Sequence, residues 1–306
     1  MKPSGKAAKL ILQLILAFCT ILTVLISAGA QTKDIVQPLL WQQGMTRSEV
    51  GEINVFRRFA TAGRAKMVEF YGDVLGLKPL SPAALGGNAM IRYPIGHSEV
   101  KLFPVNQGNE TRTTPLQKMV GIRLISLFYA DEASVSARFK EHGYPAPKFQ
   151  RRDDTQATAA LVQDPDGQWY ELVVIPGASR EALDRFEIGM TVSDLEQSRA
   201  FYRDFMGLPE AKPVRSELLG TTKYSYRHGD MTISIWSYGK DLPKDTNTAG
   251  LQYITWDVEG VDRIAKARSA KIDRPLSAPG SPRTVWLFDP DGITNYFAQL
   301  TRVSQQ

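Results

Sequence analysis

The feature that most constrains this chain is a turn that the sequence contains twice. The stretch "VQDPDGQWYELVV" begins at Val162, and "LFDPDGITNYFAQL" begins at Leu287. A second pair accompanies the turns, "VEFYGDVLGL" at 68–77 and "RAFYRDFMGL" at 199–208. The two copies of each motif lie about 130 residues apart. This period is too long for a solenoid repeat and indicates a duplicated domain.

Each half of the chain divides again into two similar segments. The first has strand "INVFRRFATA", then a helix with one apolar face, then strands "AMIRYP" and "EVKLFPV". That order recurs three more times, and Ser193 with Glu196 forms a capping box for the third helix. In each DPDG turn, Pro presets φ and Gly accepts positive φ, so the chain reverses between paired strands. The pattern predicts an α+β fold of βαβββ units. The predicted core faces of the helices are Met67, Phe70, Tyr71, Val74 and Leu75 in one copy, and Phe201, Tyr202, Phe205 and Met206 in the other.

These landmarks predict the domain boundaries. Residues 52–176 form the first domain and 186–303 the second, with a linker at 177–185 and a polar lead-in at 31–51. Two such domains in one chain can pair with each other, so a dimer is not required.

The first thirty residues differ in composition from the rest. Three lysines precede the apolar run "LILQLILAFCTILTVLIS", which is followed by "AGA". This order is typical of a secretory signal cleaved after Ala30. The run also just reaches membrane-spanning length, so an uncleaved N-terminal anchor is the alternative. Both interpretations predict an exported protein, periplasmic or secreted, or one held at a membrane by this segment alone.

Without that segment the charge is nearly balanced. The chain has 37 Lys and Arg against 32 Asp and Glu, and loss of the three N-terminal lysines leaves about +2. The mature chain has no dense basic run, so we expect no nucleic-acid partner. The full sequence has one cysteine, Cys19, which lies in the apolar run, so we expect neither disulfides nor thiolate metal sites in the mature protein.

The stretches "VSDLEQSRAFYRDFMGL" with "FDPDGITNYF", and "MVEFYGDVLGL" with "QDPDGQWYEL", resemble the vicinal oxygen chelate superfamily. That group contains glyoxalases, extradiol dioxygenases and bleomycin-resistance proteins, and the resemblance covers about residues 52–302. It implies tandem domains, each with two βαβββ units whose curled mixed sheet surrounds a cavity. It does not imply one reaction, because the superfamily hosts several chemistries and pure binders.

In metal-using members of the superfamily, the ligands come from the first and last strand of each unit. Carried over, these positions are Phe56, Lys101, Leu124 and Glu171 in the first domain, and Glu187, Ser234, Tyr253 and Tyr296 in the second. The offsets place Leu124 and Tyr253 to within one or two residues.

Neither set is a metal site of the usual kind. Non-haem iron oxygenases need two His and one carboxylate, and this chain has three histidines in all, His97, His142 and His228, none on a predicted ligand strand. Lys101 would place an ammonium where a cation should bind. We therefore expect no cofactor. A divalent ion with Glu187 as ligand remains the alternative.

The carboxylates carry the remaining chemistry. Glu187 with Tyr253 and Tyr296 would make a cluster of one acid and two phenols, able to abstract a proton while a phenol stabilises the enolate, or simply to fill the cavity. Glu171 is either a carboxylate that faces solvent or pairs with an arginine, or a general base in apolar surroundings.

The sequence thus leaves two functions open. The favoured one is an exported binder of a small organic ligand, with Ser234, Trp236 and Trp169 lining its pocket. The alternative is a lyase, isomerase or dioxygenase of the same superfamily that uses Glu187.

Overall fold

Both DPDG segments form the turns that their composition predicts. In the computed structural model, Asp164 Oδ1 accepts the backbone N–H of Asp166 at 3.0 Å and of Gln168 at 2.9 Å. The second copy repeats this pattern, because Asp289 Oδ1 accepts from two backbone N–H groups, at 3.0 and 2.8 Å. The closing glycines have φ values of 83° and 85°, which a side chain would strain. Each turn joins two antiparallel strands.

The structure describes residues 53–85, 88–106, 114–152, 156–228, 231–246, 248–255, 260–267, 272–274 and 283–299. The predicted signal (1–30) and lead-in (31–51) lie outside these ranges. No helix within them has the length and hydrophobicity needed to cross a membrane.

The described residues form four βαβββ units, numbered here in chain order. Unit 1 consists of β1 (Ile53–Ala60), α1 (Arg64–Glu69), β2 (Ala83–Leu85), β3 (Asn88–Ile95) and β4 (Ser98–Val105). Unit 2 consists of β5 (Val120–Tyr129), α2 (Glu132–Glu141), β6 (Gln150–Arg151), β7 (Thr158–Gln163) and β8 (Trp169–Val174). Unit 3 follows the short helix α3 (Arg180–Leu183) and consists of β9 (Phe186–Thr191), α4 (Leu195–Arg199), β10 (Val214–Ser216), β11 (Thr221–His228) and β12 (Met231–Trp236). After β13 (Lys244–Asp245), unit 4 consists of β14 (Ala249–Thr255), α5 (Gly260–Ala267), β15 (Ile272–Arg274), β16 (Arg283–Phe288) and β17 (Thr294–Gln299). The predicted α+β class and tandem architecture are confirmed.

The units that share a sheet are not consecutive in the chain. In the described ranges, units 1 and 4 form an eight-stranded sheet in the order β15-β16-β17-β14-β1-β4-β3-β2. Units 2 and 3 form a nine-stranded sheet in the order β10-β11-β12-β9-β5-β8-β7-β6. The joints are antiparallel pairs of first strands, β1 with β14 and β5 with β9. Each sheet therefore takes one unit from each half, so the two halves do pair within the chain. The exact domain boundaries stay a prediction.

Consecutive units contact each other through helices and turns. The hydroxyl of Tyr71, in the first helix, donates to Asp164 Oδ2 of the first DPDG turn at 3.0 Å. Tyr202 makes the same contact with Asp289 of the second turn, also at 3.0 Å. Both tyrosines belong to segments that continue α1 and α4 as π-helix, Phe70–Val74 and Ala200–Phe205. The predicted core residues of these helices are buried, which confirms their assignment.

The start of α4 differs from the predicted capping box. Asp194 is the N-cap, and its side chain accepts the backbone N–H of Gln197 at 3.1 Å. The hydroxyl and backbone N–H of Ser193 instead donate to Asp291 of the second DPDG turn. The capping prediction was wrong by one residue, because a tertiary partner took the serine that the local pattern had assigned to the helix.

Candidate functional site

Two inner faces are candidates for a site. We call the inner face of a sheet the face turned away from the helices. Along each strand the residues alternate between this face and the helix side. In the nine-stranded sheet the register brings Glu171, Ser126 and Glu187 side by side across β8, β5 and β9. Ser234 of β12 joins them, because its hydroxyl donates to Glu187 Oε1 at 2.6 Å.

A single guanidinium holds the two carboxylates of this row. Arg152 Nη2 donates to Glu187 Oε2 at 2.8 Å and to Glu171 Oε2 at 3.0 Å. Its Nε donates to Glu171 Oε1 at 3.0 Å, so the contact with Glu171 is bidentate. Ser126 donates to Glu171 Oε2 at 2.6 Å. The Nζ of Lys223 lies 3.9 Å from Glu187 Oε1. Together with Ser234, these side chains form one ionic cluster of six residues, and only 2% of the Glu171 side chain is exposed.

The cluster fixes the protonation state of Glu187. Burial by itself would raise the pKa of this carboxyl, but the charges of Lys223 and Arg152, with hydrogen bonds from Ser234 and Arg152, outweigh it and hold the pKa at about 2. The pKa of Arg152 is raised, because Glu171 and Glu187 outweigh the opposing effect of burial. Near neutral pH, Glu187 is therefore a carboxylate that binds a proton weakly, which makes it a poor general base.

Apolar side chains fill the same inner face on both sides of the ionic cluster. Trp236 is fully buried and lies across Gly189, packed with Leu124. The remaining members of this apolar cluster are Leu116, Leu219, Leu161, Trp169 and Tyr238. On the other side of the ions, Val173 packs with Phe128 and Leu218. We call this filled face the closed cup.

The inner face of the eight-stranded sheet has different contents. A cleft with about 390 Å³ of empty space, open mouth included, lies over β1, β14, β16 and β17. Its lining residues are Phe56, Arg58, Thr246, Ala249, Gly250, Trp286, Thr294 and Tyr296. The rings of Trp286 and Tyr296 stack with centroids 4.7 Å apart and planes 16° apart. Trp286 is 41% exposed, and Phe56 is half-buried next to Phe103 at 5.9 Å. We call this face the open cup.

Beside the cleft, the open cup carries a polar row. Lys101 pairs with Phe56 in the parallel β1–β4 register, and its Nζ donates to Gln252 Oε1 at 2.6 Å. The nearest carboxylate is Glu99, 3.7 Å from Lys101 Nζ, and Glu99 also pairs with Arg92. Burial lowers the pKa of Lys101, partly offset by Glu99. On this face cationic side chains outnumber carboxylates in the described residues, with Arg58 and Arg92 as well as Lys101.

The comparison with known proteins agrees with this architecture. The family model of the Glyoxalase/Bleomycin resistance protein/Dioxygenase superfamily matches residues 59–172 and 183–297. The chain belongs to this superfamily. No curated protein matches the sequence.

Solved structures of the superfamily fold are similar over most of their length. Glyoxalase I from Zea mays has a TM-score of 0.59 at 18% identity, over 84% of this chain and 95% of the maize chain. A putative dioxygenase from Bacillus subtilis subsp. subtilis str. 168 has a TM-score of 0.55 at 14% identity, over 82% of this chain and 86% of the other. At such identities the similarity shows the fold and no shared reaction.

The superfamily positions carried over from the sequence divide between the two cups. Glu171, Glu187 and Ser234 meet in the closed cup, together with the predicted pocket residues Trp236 and Trp169. Phe56, Lys101 and Tyr296 meet in the open cup.

The predicted cluster of Glu187 with Tyr253 and Tyr296 does not form, because the glutamate and the tyrosines belong to different sheets. The pattern of a unit does not specify its partner unit, and the prediction had paired units 3 and 4.

Two of the carried-over ligand positions are displaced along their strands, at Tyr253 by one residue and at Leu124 by two. Tyr253 faces the helix side, stacks on Phe297 and donates to Asn295 Oδ1 at 2.9 Å, and its neighbour Gln252 occupies the inner face. A shift of one residue on a strand reverses the face. Leu124 faces the closed cup as expected, but Ser126, two residues on, is the residue that touches the carboxylates.

The sequence had not pointed to Arg152. It follows the two-residue strand β6, where no periodicity marks an inward direction.

A divalent ion of the kind that metal-using superfamily members hold does not fit either donor set. The carboxylates of the closed cup already share Arg152, with Lys223 close by, so a dication would meet two fixed positive charges. In the open cup, Lys101 stands at a position that the superfamily resemblance assigns to a metal ligand, and it pairs with Phe56 across β1 and β4. In the part of the chain that the structure describes, no three His, Cys, Asp or Glu side chains lie close enough together to bind a metal. The absence of a cofactor stays a prediction.

Proposed function

We propose that this protein binds a small, planar, anionic organic molecule in the open cup, without a metal. The observation that carries the proposal is the cleft beside the stacked pair Trp286 and Tyr296, with the cationic Arg58 in its lining. Ligand pockets are concave and mostly apolar, with a few charged or polar groups that set specificity. This cleft has that composition.

The aromatic pair supports a planar ligand. The ring of Trp286 stacks on Tyr296 with centroids 4.7 Å apart, and 41% of Trp286 is exposed. It therefore presents a flat face to an aromatic ring of the ligand. Phe56 offers a third aromatic surface beside β14, where Gly250 leaves the backbone without a side chain.

The charges support an anion. Arg58 lines the cleft and Lys101 lies on the same face of the adjacent strand, while Glu99 is the carboxylate nearest to Lys101. A carboxylate on the ligand would meet a face on which, among the described residues, cationic side chains outnumber carboxylates.

The alternative of an enzyme that uses Glu187 has less support. A general base works best when its pKa lies near the operating pH, and the pKa of Glu187 is about 2. The residue is held by Arg152 in the cup that the protein fills with its own side chains.

Export remains part of the proposal and rests on residues 1–30 of the sequence. We propose a mature chain that begins at Gln31. Intact-mass measurement of the protein from an export compartment should give the mass of the chain from Gln31 to Gln306. A mass that still includes the apolar run would support the anchored alternative.

The binding test uses the chain from Gln31 and four matched probes. Benzoate and 1-naphthoate are planar anions, cyclohexanecarboxylate is an anion without a flat ring, and benzamide is a flat ring without charge. We expect the planar anions to bind most tightly in calorimetry, with a change in tryptophan fluorescence on binding that is absent in Trp286→Ala. Failure of all four probes, followed by failure of a broad fragment library, would overturn the proposal. Binding of benzamide as tight as that of benzoate would overturn only the preference for anions.

Trp286→Ala locates the site. We expect a loss of affinity of about tenfold, since stacking on one aromatic ring contributes roughly 1–2 kcal/mol. Phe288→Ala is the matched control, because Phe288 is an exposed aromatic on the same strand and does not line the cleft. If Trp286→Ala and Phe288→Ala bound the probes with equal affinity, the ligand would have to bind outside this cleft.

A further inference from the structure

The closed cup holds two carboxylates and two hydroxyls on the first and last strands of units 2 and 3, and a protein cation lies between the carboxylates. Ser126 and Glu187 are on the first strands of units 2 and 3, and Glu171 and Ser234 on the last strands. Arg152 reaches both carboxylates with three hydrogen bonds of 2.8 to 3.0 Å. Both hydroxyls donate to the same carboxylates at 2.6 Å.

Within the described residues, the charges of this cluster balance. Glu171 and Glu187 supply two negative charges, and Arg152 and Lys223 supply two positive ones. The side chains are almost fully removed from water, with exposed fractions of 13% for Arg152, 7% for Lys223 and 12% for Glu187. Because an unpaired buried carboxylate is costly, the cluster requires a cation at this position.

We infer that Arg152 is a built-in substitute for a divalent ion, and that the position it occupies is a latent metal site. The guanidinium holds Glu171 of unit 2 and Glu187 of unit 3 in the way that a shared ion would. It thereby ties together the two halves of the chain at the β5–β9 joint. Removing it leaves two carboxylates around one vacated space, each of them already bonded to a serine hydroxyl. Carboxylate oxygens are ligands suited to a hard or borderline divalent ion.

The guanidinium suits this role better than an ammonium. Its planar fork meets Glu171 with Nε and Nη2 at once, and Nη2 also reaches Glu187. A lysine at 152 offers one point charge and cannot repeat this geometry. Arg152→Lys is therefore expected to lower Tm clearly although it conserves charge.

The test is Arg152→Gly in the chain from Gln31, followed by thermal unfolding with and without Mn²⁺, Ni²⁺ or Zn²⁺. We expect a large fall in Tm, and a rise of about 3 °C or more when one of these ions is present at about ten times its dissociation constant. Methylguanidinium should also raise Tm, because it refills the vacated space. Wild-type Tm should not respond to any of these additions.

Arg58→Gly is the matched control. It removes an arginine from the open cup, where the described residues that line the cleft include aromatic, threonine and small residues but no carboxylate. All three histidines remain in both variants, so metal binding to them would appear equally in each. A metal response in the control equal to that of Arg152→Gly would overturn the inference.

A second variant keeps the test decisive if Arg152→Gly does not fold. Adding Glu171→Gln to Arg152→Gly removes the carboxylate that Arg152 holds bidentately and leaves Glu187 balanced by Lys223. We expect this double variant to fold, with a higher Tm than Arg152→Gly and no response to metals, because only one of the two carboxylates remains. Failure of the double variant to fold would mean that Arg152 acts through other contacts. A folded Arg152→Gly without response to metals or methylguanidinium, or a wild-type protein that takes up a stoichiometric ion lost in Glu187→Gln, would also overturn the inference.

Discussion

The two cups are built from βαβββ units of the same kind, but one is filled with side chains and the other holds a cleft. In the closed cup, Glu171 stands seven residues after Asp164 and takes part in a buried ionic cluster. In the open cup, Tyr296 stands seven residues after Asp289 and stacks on a half-exposed tryptophan. The backbone is shared, so the difference comes from a few inner-face side chains. One cup closes around its own charges, while the other keeps a cleft.

The two DPDG turns diverged in a similar way. Asp164 forms a fully buried salt bridge with Arg57, which also reaches Asp166 at 3.2 Å. The residue 131 positions after Arg57 is Ile188, and no salt bridge to Asp289 forms within the described ranges. Burial therefore raises the pKa of Asp289 from 3.8 to about 6, although hydrogen bonds from Ile293 and Tyr202 oppose it. Asp164 is thus one half of an ion pair, whereas Asp289 has no cation partner among the described residues.

A pair of tryptophan variants should give the largest difference between the cups. Trp236→Ala removes a fully buried ring from the closed cup and should cost about 3–5 kcal/mol of unfolding free energy. Trp286→Ala removes a ring that is 41% exposed, and it should cost about 1 kcal/mol. Denaturant unfolding of both variants measures the difference. Equal losses would mean that the open cup is packed as tightly as the closed one.

A pair of aspartate variants should sharpen the contrast between the turns. Asp164→Asn leaves the buried Arg57 charge without its main partner and should cost about 3 kcal/mol, near the lower end for such pairs because Asp166 remains. Asp289→Asn should cost less than about 1 kcal/mol at pH 7, because it removes a buried charge that no cation balances in the described residues. Denaturant unfolding at pH 7 gives both values.

The pH dependence provides an independent check on Asp289. Its pKa in the folded protein, about 6, lies above its ordinary value of 3.8, so the unfolded chain loses this proton first as pH rises. The stability contributed by the protonated group is complete below about pH 4 and is lost between about pH 4 and 6. Relative to wild type, Asp289→Asn should therefore become more stable across that window and then level off. A flat difference from pH 4 to 7 would contradict the raised pKa.

A pair of glycine variants should give the smallest effect. A Cβ on Gly189 would lie 2.4 and 2.7 Å from ring atoms of Trp236, so Gly189→Ala should cost about 1–3 kcal/mol by overpacking. On Gly250 the nearest atom is Cβ of Thr294 at 3.1 Å, so the cost should stay below about 1 kcal/mol. In a Trp236→Leu background the cost of Gly189→Ala should fall. If it does not, the strain has another origin.

Much of the fold follows from local patterns in the sequence. The DPDG turns form because Asp, Pro and Gly each favour the backbone of a tight turn, whatever surrounds them. The helix motif "FYRDFMGL" buries its predicted face because period and hydrophobicity coincide. Simple alternation on β8 also predicts that Glu171 and Trp169 share one face of the strand, although not which face.

The sequence by itself therefore determined four similar units, their strand and helix order, and the candidate carboxylates. Only the tertiary structure decided which units share a sheet, and so separated Glu187 from Tyr253 and Tyr296 and joined it to Glu171. Tertiary structure also brought Arg152, from a segment without periodicity, between the two acids. The physical reason is that strand patterns record which side of a sheet is buried, whereas partner units and ion pairs depend on contacts between residues far apart in the chain.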